Sequence, residues 1–128
     1  MKESVKLSAR DKTYELYFNL GDLRNMERDI ARSIVSLFSD GLVKNIDIST
    51  IVAAIRWSIH DEKHGKRTDE ECYDIIQKAC DTGADLDIIA GAVINAFLKS
   101  GFFGHYPEAG KNQETEKETS SSTPSKNG

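Results

Sequence analysis

The chain begins with alternation. Val5 and Leu7 fall on one side of an extended segment, and Ala9-Arg10-Asp11-Lys12 then interrupts it with turn-like polarity. After the break, Tyr14, Leu16 and Phe18 share one face while Thr13, Glu15 and Tyr17 share the other. Period-two alternation with aromatic and β-branched residues around a short polar break predicts a β-hairpin. Two strands are not stable alone in water, so one face of this hairpin has to pack on later elements of the chain.

From Leu20 the period lengthens. Leu20, Leu23, Met26, Glu27 and Ile30 have the spacing of an amphipathic helix that starts near Gly21-Asp22. Ile34, Val35, Leu37 and Phe38 continue that pattern up to Ser39-Asp40-Gly41, where a glycine suits a left-handed helix end. Asp47 or Ser49 can cap a further helix carrying Ile51, Val52, Ile55 and Ile59 on one face. Thr68 and Glu71 have capping-box spacing ahead of Cys72, Ile75, Ile76 and Ala79. Asp85 opens the last helix, whose stripe is Leu86, Ile89, Ala90, Val93, Ile94, Phe97 and Leu98; Lys99 and Gly101 mark its end.

At Pro107 the large apolar residues stop, and Glu, Lys, Ser, Thr, Asn and Gln take over. Such a segment buries too little apolar surface to offset the entropy of ordering it. The expected organisation is an α+β domain over residues 1–106, made of a short N-terminal β-hairpin and four or five small amphipathic helices. A disordered polar tail is expected over 107–128.

Charge narrows the partners. The net charge is −4, and it does not come from the tail alone: residues 1–107 carry 14 Lys/Arg against 17 Asp/Glu, and residues 108–128 carry 3 against 4. Nucleic-acid binders show a basic excess, so nucleic acid is not an expected partner. Lys63, Lys66 and Arg67 lie close together and read as a solvated loop. No apolar run approaches the length of a membrane span and Lys2-Glu3 leads straight into the alternating segment, so a cytoplasmic protein without membrane contact is expected. Cys72 and Cys80 share one predicted helix, about 12 Å apart along its axis, and read as reduced core thiols.

Little in the pattern points to catalysis. The sharpest candidate is His60-Asp61-Glu62-Lys63-His64, because histidines four apart on a helix face the same way and can both reach a zinc ion. In the metalloprotease pattern Glu directly follows the first His. Glu62 is instead two places on, about 200° around a helix from His60. The third ligand would have to come from elsewhere, and the segment reads as a polar helix end and loop, with no metal or other cofactor expected. A metal-dependent hydrolase using His60 and His64 is the one enzymatic alternative. No nucleophile elbow, phosphate-cradling glycine loop or calcium loop occurs, so the expectation is a non-enzymatic interaction protein.

Aromatic residues outside the helical stripes are the candidate partner contacts. Phe102, Phe103 and Tyr106 come after the last helix and either fold back on the core or anchor a partner. Trp57 lies off the Ile51/Ile55/Ile59 stripe and poses the same choice. Tyr17 is an aromatic on the second face of the hairpin.

The order of elements, with Tyr14-x-Leu16-x-Phe18 leading into Leu20-x-x-Leu23-x-x-Met26-Glu27 and then small helices and a polar tail, resembles the tail assembly chaperones of long-tailed bacteriophages and related gene-transfer particles. The resemblance covers roughly residues 4–104. Where many of those proteins have a Gly-rich break after the first helix, this chain continues through Ser33-Ile34-Val35. The resemblance implies a protein that binds the tape measure protein, keeps it soluble, helps recruit tail tube subunits, often self-associates and is absent from the finished virion. It also implies that a frameshift can extend such a chain, and Gly110-Lys111 could be encoded by a slippery run. A generic adaptor or regulatory subunit of a phage or bacterial complex is the alternative with the same fold class.

Overall fold

A computed structural model describes residues 3–39 and 46–103. Tyr106, the Gly110-Lys111 pair, the expected glycine cap at Gly41 and the expected tail at 107–128 lie outside the described residues. The elements are strands β1 (Val5–Ala9) and β2 (Lys12–Leu16), then helices α1 (Leu20–Ile30), α2 (Ile34–Ser39), α3 (Ile48–Ser58), α4 (Asp69–Asp81) and α5 (Leu86–Lys99). The α+β class, the N-terminal hairpin and the helical remainder agree with the expectation. No helix among the described residues is long and apolar enough to cross a membrane.

β1 and β2 pair antiparallel, with Leu7 opposite Tyr14 and Ala9 opposite Lys12. The polar break is therefore shorter than its sequence implies: Ala9 is buried and belongs to the strand, and the turn is Arg10-Asp11. Arg10 takes a left-handed backbone (φ 62°). Contacts to the end of α4 hold it there, its N–H donating to Thr82 Oγ1 at 2.6 Å and its guanidinium to Asp81 at 2.9 Å. The buried face, Leu7, Ala9, Leu16 and Phe18, lies against the helices. At the core's centre Phe18 stacks on Phe97 of α5, with ring centroids 4.6 Å apart.

The caps form as their chemistry requires. Asp47 accepts from the Thr50 N–H and hydroxyl at 2.8 and 2.7 Å, and these bonds hold its carboxyl below the ordinary range. Thr68 and Glu71 close the capping box of α4, and Asp85 accepts from Ile88 N–H to start α5. The helical pattern across 20–38 is interrupted, however. Ala31 adopts a left-handed conformation (φ 56°), ending α1 and turning the chain into α2. Glu27 accepts the N–H of Ile34 at 2.9 Å, so a side chain replaces the backbone acceptor that a continuous helix would supply. α3 is the central helix, with Ile51 through Ile55 all buried.

Candidate functional site

Two features stand out: a cluster of histidines at the end of α3, and an apolar groove at the opposite end of the same helix.

The cluster begins where α3 stops. Ile59 is extended rather than helical and bridges Leu16, while Tyr17 N–H donates to Ser58 O at 3.1 Å, so the chain after β2 runs alongside residues 58–60. His60 and His64 thus belong to the loop that follows α3 and not to a helix face, in agreement with the expected polar helix end and loop. The loop turns back through bonds from His64 N–H to Asp61 O (2.9 Å) and from Gly65 N–H to Arg56 O (3.0 Å). Gly65 has φ +74°, and a Cβ there would come within 2.5 Å of the Trp57 ring. The turn needs glycine both for its conformation and for the close approach to the indole.

Folded this way, the two imidazoles stack at 4.1 Å and meet Asp22, in the first turn of α1. His60 Nε2 lies 2.8 Å from Asp22 Oδ2 and His64 Nε2 lies 2.8 Å from Asp22 Oδ1. Asp22 Oδ2 also accepts the N–H of Asn19 at 2.8 Å. The Asp22 side chain is only 5% exposed, that of His60 14% and that of His64 31%. Tyr17 stacks on His60 at 3.9 Å, and Trp57 meets His64 edge-on at 5.6 Å.

Tyr17 and Trp57 are thus walls of the cluster. Trp57 packs against α1 as well, its Nε1–H donating to Asp29 Oδ2 at 2.9 Å. Arg56 donates to the same Asp29 oxygen, to Arg67 O and to Asp69, tying α1, α3 and the start of α4 together. The carboxylates next after His60 in the chain do not join the histidines. Asp61 accepts two bonds from Arg67, at 3.1 and 2.7 Å, and Glu62 lines a separate depression with Lys12, Tyr14 and Glu70. Arg67 is therefore buried and paired, not part of a solvated basic loop, and the bonds to Asp61 push its guanidinium above its ordinary range.

Of the aromatics after α5, Phe103 is half-buried and meets Phe97 edge-on at 6.2 Å, whereas Phe102 is exposed. Cys72 is buried and Cys80 half-buried, both as free thiols.

The groove lies between the start of α3 and the first half of α5. Ile46, Ile48, Ile51, Leu86, Ala90 and Ile94 line most of a depression of about 840 Å³. A second, of about 290 Å³, shares Ile48, Ile51 and Leu86 with it and continues toward Tyr73, Ile76 and Cys80 of α4. Ile48 is 57% exposed, and Tyr73 and Leu86 are each 45% exposed. Helical periodicity places Leu86 in the core stripe and gives no sign of this surface.

Compared with protein-family models, with curated proteins and with solved structures, the chain matches none.

Proposed function

We propose that this chain is a non-catalytic, client-binding protein of the tail assembly chaperone type, and that its client is the tape measure protein of the phage or particle that encodes it. The observation carrying this reading is the groove. Three of the seven large apolar side chains exposed among the described residues, Ile48, Tyr73 and Leu86, converge on two adjoining depressions. Contiguous exposed apolar surface rimmed by polar groups is the mark of an interaction site. An elongated groove of this kind accepts the apolar face of an amphipathic helix, read through side chains at i, i+3 or i+4, and i+7. The long, largely helical tape measure protein that the resemblance implies offers many such faces in series. Each contact can then be weak while several copies along one client hold it strongly.

Asp47 and Asp87 edge the groove, which favours client faces whose apolar row is flanked by Lys or Arg. Recruitment of tail tube subunits, self-association along the client and release before the virion is complete belong to the same proposal.

The test is co-expression. With this chain present, the tape measure protein is expected to be soluble and to co-purify with it; expressed alone, the client is expected to aggregate. A client equally soluble in both cases, with no complex on gel filtration, would overturn the proposal.

A further inference from the structure

The geometry points to a divalent metal site formed by Asp22, His60 and His64, with a first-row transition ion such as zinc as its ligand. It is independent of the groove and of the client proposed for it. One ligand atom from each residue lies within 4.8 Å of the others, with Asp22 buried and both histidines partly covered. Two imidazoles and one carboxylate are a donor set that suits zinc and its first-row neighbours, and three protein ligands leave a fourth position for solvent.

The donors and acceptors around the two rings accommodate a cation. His60 Nδ1 lies 3.1 Å from Ser58 O, and His60 Nε2 lies 2.8 Å from the Asp22 carboxylate. Both of its ring nitrogens therefore face acceptors, and a neutral ring has only one N–H to give. His64 Nε2 likewise faces two acceptors, Asp22 Oδ1 at 2.8 Å and Trp57 O at 3.1 Å. A metal ion removes the conflict: Nδ1–H of His60 donates to Ser58 O while both Nε2 lone pairs and the carboxylate turn to the ion. A backbone carbonyl holding the far nitrogen of a ligating histidine is the usual way such a ring is oriented.

Metal–ligand bonds of about 2.0–2.1 Å at tetrahedral angles separate ligand atoms by about 3.3 Å, so the 2.8 Å contacts, one from each ring to a different oxygen of the Asp22 carboxylate, have to open by about half an ångström to admit the ion. The Tyr17 and Trp57 rings keep the imidazoles in place meanwhile. His64, the most exposed of the three, is the ligand closest to solvent. Bound there, the ion clamps the first turn of α1 to the loop between α3 and α4. Asp61 is bonded to Arg67 and Glu62 lines a separate depression, so neither carboxylate beside His60 is among the three ligands.

The experiment uses the untagged full-length chain, stripped with chelator, desalted and titrated with Zn²⁺ in competition with a chromophoric chelator; Co²⁺ absorption is a parallel readout of coordination. The expected result is one equivalent bound, a raised melting temperature, and Co²⁺ bands characteristic of four-coordinate nitrogen and oxygen ligation. His60→Ala and His64→Gln should each weaken zinc binding by more than about 100-fold, while His105→Gln, at the chain's third histidine, leaves it unchanged. His64→Gln alters the most exposed ligand and is checked for native folding by circular dichroism, so it carries the test if His60→Ala does not fold. Wild-type protein that retains no zinc and gives no Co²⁺ bands would overturn the site. So would binding that survives His64→Gln and is lost on His105→Gln.

Discussion

Replacing Gly65 with alanine should cost about 3 kcal/mol of folding stability, most of it through one aromatic ring. Gly65 sits at φ +74°, and an added Cβ would lie 2.5 Å and 2.8 Å from Cζ3 and Cη2 of Trp57. The left-handed backbone alone costs an alanine about 1 kcal/mol. The rest depends on whether the indole can move. Its Nε1–H is bonded to Asp29 Oδ2 at 2.9 Å and its edge meets His64, so displacement breaks a charge-assisted hydrogen bond. Losing such a bond costs about 1.5–3 kcal/mol. Gly101 supplies the control: it has φ +83°, and an added Cβ there would meet nothing within 4 Å. Gly101→Ala should therefore cost only the backbone contribution of about 1 kcal/mol. Urea denaturation followed by circular dichroism gives both values, and Trp57, the chain's single tryptophan, reports the local change by fluorescence. Gly65→Ala no more costly than Gly101→Ala, with Trp57 emission unaltered, would refute the tight loop.

The core and the caps give two further expected outcomes. Phe97→Ala, which empties a fully buried position stacked on Phe18, should lower stability by about 3–5 kcal/mol in denaturant titration. Glu71 is held down to about 2, against an ordinary 4.5, first by its bond from Lys63 and then by the Thr68 N–H. A depressed carboxyl contributes stability that is fully present above its unfolded value and lost as pH falls through the folded one. Glu71→Gln keeps the capping geometry but not the charge, so it should be less stable than the parent near neutral pH. Melting curves should converge between pH 4.5 and about 2.

What could be read from the sequence was local. The caps at Asp47, Thr68–Glu71 and Asp85 are decided within four residues, by a side-chain oxygen beside unpaired N–H groups. The hairpin comes from alternation alone. The break at Ala31 was not legible, because an alanine takes a left-handed turn there only under the pull of Glu27 on Ile34, seven residues apart. Arg67 looked like part of a basic loop because its charge partner, Asp61, becomes close only when the loop folds.

The histidine cluster was half legible. The spacing of His60 and His64 was a signal, but a helical reading puts them on a face that does not exist, since α3 ends at Ser58. The third member, Asp22, is 38 residues before His60. Three residues after Asn19, Asp22 has capping-box spacing and its carboxylate turns back to the Asn19 N–H, but nothing in the spacing brings it to the histidines. The groove was hidden for a related reason: periodicity marks Leu86 as apolar without telling whether anything in the chain covers it.

Whether the groove between α3 and α5 holds a helix of the tape measure protein can be decided by fluorescence anisotropy. Labelled helical segments of that client would be titrated with the full-length chain and with a variant carrying Ile48→Glu and Leu86→Glu. Both residues are exposed, so the variant should keep the parent's circular dichroism and melting temperature. The parent should bind saturably to segments with an apolar row flanked by basic residues. In the variant that binding should weaken at least about tenfold, a difference of about 1.4 kcal/mol. Equal binding by the parent and a natively folded variant would contradict a client seated in this groove.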